Sequence, residues 1–375
     1  MVLEFDANLL SVLVGSHSVI DLPGLHLKSK QQAFDFIKAY GFDLSLDEDR
    51  AKIKYIYRRA LVFLIQTLGF EESKIPDAIK DLDQTQNIEN VLLWASQTSL
   101  IGNTQDLDLA STPSRELQKW SCAILRVMHA FVHAENDLFH FYSEEVQKQI
   151  LTPFEEHVVS GGDKGRFYLR HPNDGINEKS IELCGFEVKP YKTSVSSVLK
   201  LLAKHDVHMM SLYDKIGVRF VTQTLTDAFR VLQYLINHNI LSLAHIMSGQ
   251  TSNNLFPVDL FIKMAGDFAP TKWKELSAQE IDQFLLIAKK EYMANPNHTL
   301  FPKENIFSSP DYEFMKFVTR KLIKISGSGF QFFYPFEVQI MTQNGYKSSF
   351  QGSAEHGQYK KRQISAAKKR VFPEL

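Results

Sequence analysis

Two acidic residues far apart in the chain, Asp214 and Glu337, stand in strand-like surroundings. In the stretch from Leu212 to Thr222, period-two alternation puts Asp214 on the face of Ile216, Val218 and Phe220, at the beginning of the strand. In Phe336-Glu-Val-Gln-Ile-Met341 the same period sets Phe336, Val338 and Ile340 on one face and Glu337, Gln339 and Met341 on the other. A pair of carboxylates from neighbouring strands makes a hard, all-oxygen site suited to Mg²⁺; a turn or capping role for Asp214 is the structural alternative. Cations gather upstream. Lys189, Lys192 and Lys200 surround a segment that becomes helical, and Lys192, Ser196 and Lys200 are spaced by four, so they share a face near the helix N-terminus, where free N–H groups and the macrodipole favour phosphate. An ordinary solvated helix face has the same spacing. A third group, His129, His133, Asn136, Asp137 and His140, shares one helix face and offers nitrogen and oxygen ligands, but reads better as a polar or interface-facing stripe.

The elements that must position these residues fall into two halves. Up to about residue 155 the periodicity is helical. Ser45 and Glu48 have capping-box spacing ahead of Ile53, Ile56, Tyr57, Ala60, Leu61 and Leu64, and Gly69 marks a stop. A second helix is expected from Thr112, with Pro113 in its first turn, through Trp120, Ile124, Val127 and Phe131 towards Tyr142. After Gly161-Gly162 strand patterns take over at Arg166 to Leu169, Tyr213 to Thr222, Lys316 to Ile325 and Phe332 to Thr342. Helical patterns separate them at Val195 to Lys204, Thr226 to Asn237 and Ala278 to Met293, the last behind a capping box of Ser277 and Glu280. Asp227 is expected to help start its helix. The reading is α+β or α/β: a helical N-terminal domain over 1–158, then a mixed-sheet domain with flanking helices over 159–375.

With 375 residues, 44% of them hydrophobic and 23% charged, the chain has material for two packed domains and is neither disordered nor fibrous. The formal charge of -1 gives no whole-molecule case for binding nucleic acid or anionic membrane, so any such case is local. Two separated cysteines, Cys122 and Cys184, make neither a disulfide framework nor a thiolate metal knuckle. The apolar run Leu9 to Val14 is too short for a membrane span and follows Glu4 and Asp6 rather than basic residues. These points give the expectation of a cytoplasmic protein with no membrane partner.

Four motifs then occur in order: Lys192…Ser196…Lys200; Asp214-x4-Arg219-Phe-Val with Asp227; Glu337-Val-Gln-Ile-x-Thr342; and Ala354-Glu-His356 followed by Tyr359-Lys360. Together, over roughly Phe186 to Lys361, they resemble the nucleotidyltransferase (synthetase) domain of the RelA/SpoT family, without that family's hydrolase domain. The resemblance implies synthesis of pppGpp and ppGpp as in the stringent response. The activity would be an ATP-dependent pyrophosphokinase acting on the 3′-hydroxyl of GTP or GDP. It also implies roles. Asp214 and Glu337 would attend Mg²⁺, with Glu337 a candidate base and Gln339 beside it. Lys189, Lys192, Ser196, Lys200 and Arg219 would hold the ATP phosphates, while Tyr312, Lys316 and His356 would belong to the acceptor side. An adenine nucleotide or an RNA 3′ end is an alternative acceptor, and Lys360-Lys-Arg362 with Lys368-Lys-Arg370 offers a basic tail for RNA.

The departures are specific. Pro190 stands where the family carries Arg, Phe314 and Lys316 stand for its Ser and His, and Met341 stands for its Arg. An extra segment, about 240–305, is expected as an insertion beside the site. The competing reading is a catalytically degenerate nucleotide sensor or interaction protein.

Overall fold

A computed structural model describes residues 12, 14–15, 17–80, 88–96, 115–135, 138–162, 165–177, 179–189, 194–204, 213, 215–267, 276–295, 313–348 and 356–373. The fold is α+β, with a seven-stranded mixed sheet and many helices. Among the described residues no helix is long and apolar enough to cross a membrane. The chain divides into two compact units, one comprising 1–137, 193–209 and 361–375, the other 138–192 and 210–360.

The helical unit is organised by the helix Arg115–Glu135, which contacts Asp47–Val62, Ile88–Ser96 and Ser194–Ala203. Its stripe of Ala123, Ile124, Val127, Ala130, Phe131 and Ala134 is almost fully buried, the spacing of a helix packed on more than one side. Helix is described over Arg115–Glu135 and over Leu138–His157, the latter with Tyr142 at a non-helical φ of -125°. Residues 136–137, across which the expected helix would continue, lie outside the described residues. The expected start at Thr112 and Pro113 lies outside the described residues.

The sheet unit has the strand order β1-β2-β3-β4-β7-β6-β5, with β1 Val158–Ser160, β2 Phe167–Leu169, β3 Ile181–Lys189, β4 Gly217–Thr222, β5 Ser252–Asn253, β6 Met315–Lys324 and β7 Gln331–Thr342. Every neighbouring pair is antiparallel except β4 with β7. One face of the central strands supplies Val218, Phe220, Phe336, Val338, Ile340 and Phe317. It is buried with Val146, Ile150 and Phe154 of the helix Leu138–His157 and with Ala228, Val231 and Leu235 of the helix Leu225–Asn237. Burying that face fixes the register, because a slip of one residue would send the apolar set to the other side. The opposite face is then committed to polar residues, and the candidate site lies there.

The segment read as an insertion contributes β5 at the sheet edge and the helices Val258–Asp267 and Ala278–Met293. Asp282 of the latter accepts hydrogen bonds from Leu225 N at 2.7 Å and Thr226 N at 3.2 Å, so it caps the start of the helix that follows β4. Thr224 and Asp227 complete that cap: Asp227 N donates to Thr224 Oγ1 at 3.0 Å.

Candidate functional site

Three rows of side chains run across β3, β4, β7 and β6 on the face away from the main core. Pairing places Glu187 opposite Arg219, Arg219 opposite Gln339, and Gln339 opposite Lys316. The next row is Lys189, Gly217, Glu337 and Val318. A third, apolar row forms from Val221, Met341 and Phe314, with Cys184 and Tyr346 packed on it.

Glu337 is the centre of the polar rows. Its side chain is 6% exposed, Lys189 hydrogen-bonds its Oε1, and Lys316 Nζ lies 3.5 Å from Oε2. Lys189 sits two strands away from Glu337, and it spans that gap because the intervening position is Gly217. A Cβ at Gly217 would fall 2.8 Å from the Glu337 carbonyl oxygen, 3.3 Å from its Cβ and 3.4 Å from Lys189 Cδ. The glycine is thus required by close approach. In the adjoining row Arg219 Nε donates to Gln339 Oε1 at 3.0 Å and its NH1 to Glu187 Oε2 at 2.8 Å. Tyr346, on the helix Gln343–Ser348, donates its hydroxyl to the other oxygen of Glu187, and the Arg219 guanidinium lies 5.9 Å from its ring centre. Alternating carboxylates and cations hold one another on the sheet face, and three cations, Lys189, Arg219 and Lys316, are gathered there around Glu337 and Glu187.

Lys215, two residues before Gly217, is 3% exposed, and burial lowers its ammonium to about 8. The charged form is disfavoured wherever water is withheld from it.

The structure therefore brings together five of the expected residues: Lys189, Arg219, Lys316, Glu337 and Gln339. Ser196 and Lys200 lie on the helix Ser194–Ala203, which belongs to the helical unit rather than to the sheet unit. Asp214, Lys192, Pro190 and Tyr312 lie outside the described residues, and His356 opens the helix His356–Val371. β4 begins at Gly217, so the strand alternation expected to place Asp214 does not extend back to it. Glu187, Gly217 and Tyr346 are site residues that the sequence reading did not single out. The first had a visible signal, since Phe186-Glu-Val-Lys189 alternates like the other strands. Lys189 is the last residue of β3.

A divalent cation needs oxygen donors. Among the described residues no group of three His, Cys, Asp or Glu side chains is arranged to hold a metal. Glu337 has the right donor chemistry, but each of its oxygens faces an ammonium group, so the described set does not build a cation site without Asp214.

Two departures from the family motif turn out to be one feature. Phe314 and Met341, 7% and 0% exposed, pack against each other and Val221 in the apolar row. Lys316 lies 5.9 Å from the Phe314 ring.

Elsewhere, His129 and His133 of the histidine stripe lie with ring centres 4.3 Å apart and planes tilted by 60°, and His129 Nδ1 is 2.7 Å from the Tyr40 hydroxyl. This is an interior polar contact, while Asn136 and Asp137 lie outside the described residues and His140 is described only as part of the helix Leu138–His157. The basic residues at the end of the chain are structural in part. Arg370 is buried, bonded to Asp21 at 2.6 and 2.9 Å and to the carbonyls of Leu201 and Lys204, and Lys368 reaches the Gly69 carbonyl. Those two cations are engaged within the helical unit, not displayed along a tail.

No family model matches the chain and no curated protein matches it. Among solved structures, a GTP pyrophosphokinase family protein from Streptococcus pneumoniae aligns with 65% of this chain and 85% of its own, at 12% identity and a TM-score of 0.24.

Proposed function

We propose that the sheet unit carries an ATP-dependent pyrophosphokinase. The 3′-hydroxyl oxygen of a nucleotide attacks the β-phosphorus of ATP, the bond from that phosphorus to the α,β-bridging oxygen breaks, and AMP leaves. The acceptor proposed first is GTP or GDP, with an adenine nucleotide or an RNA 3′ end as alternatives. The observation that carries this reading is Glu337, buried at the centre of a sheet face between Lys189 and Lys316 and beside the Arg219–Gln339 pair. Pyrophosphoryl transfer asks protein for positioning and for charge stabilisation over phosphate oxygens, and for a base within reach of the attacking hydroxyl.

In this proposal Lys189, Lys192 and Arg219 hold the ATP phosphates. Tyr312, Lys316 and His356 serve the acceptor side. Phosphate oxygens draw Lys189 off Glu337, which frees Oε1 to take the proton of the acceptor hydroxyl, and Gln339 keeps Arg219 aimed across the strand. Asp214 and Glu337 would hold Mg²⁺, which when bound neutralises phosphate charge.

The buried contact between Phe314 and Met341 favours a second reading, a nucleotide-binding module without turnover, because it fills with hydrocarbon the positions where the resembled family carries Ser and Arg. One experiment separates them. The purified chain is incubated with labelled ATP, Mg²⁺ and GTP, GDP or ATP as acceptor, and AMP is separated by chromatography. The enzyme reading expects AMP and a pyrophosphorylated acceptor in equal amounts, with Glu337→Gln lowering turnover at least about 100-fold, the lower end of general-base contributions. Saturable ATP binding with no AMP from any acceptor establishes the second reading.

A further inference from the structure

The helical unit holds a cavity of about 370 Å³ that the chemistry proposed for the sheet does not use. It lies among residues of the segment around Leu22 and of the helices Lys30–Tyr40, Asp47–Val62, Ile88–Ser96 and Arg115–Glu135. Its walls are hydrocarbon, with Ile37, Ile56, Leu92 and Met128 typical. A cavity of about 150 Å³ accommodates one benzene, and binding pockets for small molecules run from roughly 300 to 1,000 Å³, so this one suits a body well beyond a single ring.

Polar groups in that wall are few. Arg126 and His129 are one turn apart, and Tyr40 meets His129 at 2.7 Å. Burial pushes the Tyr40 phenol well above its ordinary range and His129 down to about 4, so both groups of this hydrogen bond are neutral. Arg126 is the charge. It is 8% exposed, and its NH1 and NH2 donate to the carbonyls of Val371 at 2.7 Å and Leu22 at 2.6 Å. No carboxylate among the described residues forms an ion pair with it. Asp21, the acid that acts on it electrostatically, is held by Arg370. Two guanidinium groups thus share one carboxylate. Arg126 also stands in the wall of a more polar basin lined by His17, Asp21, Lys369 and Arg370. An apolar chamber and a cationic basin meet at one buried arginine.

We propose that the helical unit binds an amphipathic carboxylate, its hydrocarbon chain in the apolar cavity and its head group at Arg126. A sugar or nucleotide is excluded, because the walls would leave its hydroxyl and ring nitrogen groups without partners. A neutral hydrocarbon would fill the cavity but leave the excess positive charge uncompensated, whereas a carboxylate matches it with a charge-assisted hydrogen bond.

The test uses the full chain with decanoate as the probe and decanol as its neutral counterpart, by titration calorimetry. Saturable one-to-one binding of decanoate, at least tenfold tighter than decanol, is expected. Arg126→Gln should reduce decanoate to the level of decanol. Leu125→Trp, which fills the cavity, should weaken both at least tenfold. Because either variant can also disturb the packing, wild-type protein is labelled in parallel with a diazirine-bearing decanoate and the modified peptides are mapped; they should fall within 19–62, 88–96 and 115–135. Absence of saturable binding, equal affinity for acid and alcohol, or labelling confined to other segments overturns the proposal.

Discussion

Burial of Lys215 makes a pH prediction with a definite sign. The residue is 3% exposed and its folded-state ammonium titrates at about 8, against 10.5 for the ordinary side chain. Between those values the unfolded chain binds the proton and the folded one does not, so stability must rise with pH across that window. Below pH 8 both states are charged and the folded state carries the whole cost of burying the charge, about 3 kcal/mol from the shift at 1.36 kcal/mol per unit. By pH 10 most of that cost is gone. The measurement is urea denaturation of wild type and Lys215→Met in parallel between pH 7 and pH 10, taking the difference between the two proteins so that other titrating groups cancel. Wild type should gain about 2 kcal/mol on the variant over this range. Whatever polar contacts the ammonium makes, the linkage depends only on the two titration points. A difference that stays flat, or moves in wild type's disfavour as pH rises, would refute the claim that this lysine is held in a poorly solvated place beside the polar sheet face.

Three further outcomes follow from close contacts. Gly217→Ala places a Cβ 2.8 Å from the Glu337 carbonyl oxygen, where only backbone movement of β4 against β7 relieves it; the expected loss is about 1–3 kcal/mol in chemical denaturation, with ATP binding weakened as Lys189 and Glu337 separate. Asp21→Asn leaves Arg370, whose side chain is 3% exposed, with carbonyl acceptors and no carboxylate; the helical unit should lose about 3 kcal/mol, and an unchanged melting temperature would count against the pair's structural role. Ser277→Ala removes an N-cap with both reciprocal bonds in place and should cost about 1 kcal/mol by the same denaturation assay, whereas Ser45→Ala should cost far less.

The contrast between those two serines shows where local sequence suffices. Both have Glu three residues on. At Ser277 nothing competes, and Glu280 returns a 2.7 Å bond to the cap backbone. At Ser45 the hydroxyl donates to Asp43 at 2.6 Å instead, and the helix starts later, at Asp47, with Leu46 at its cap and three acids in its first turn. An Asx-type bond two residues upstream outcompetes a box that the spacing alone suggests. The strands divide in the same way. β4, β6 and β7 were legible because one face of each packs on helices and the alternation is unbroken. β3 was not, because the register shifts between Leu183 and Gly185 and the bulge interrupts the period. Which element a buried face packs against is a tertiary fact. Val198, Leu199 and Leu202 mark a buried stripe on Ser194–Ala203, yet nothing in them says that its contacts are with Arg115–Glu135, and so the expected division at 158/159 differs from the compact units. The site shows the limit most sharply. Lys189 and Glu337 were each visible as charged residues, but their meeting depends on the residue between them having no side chain, and a glycine at position 217 acquires that meaning only when β3, β4 and β7 stand side by side.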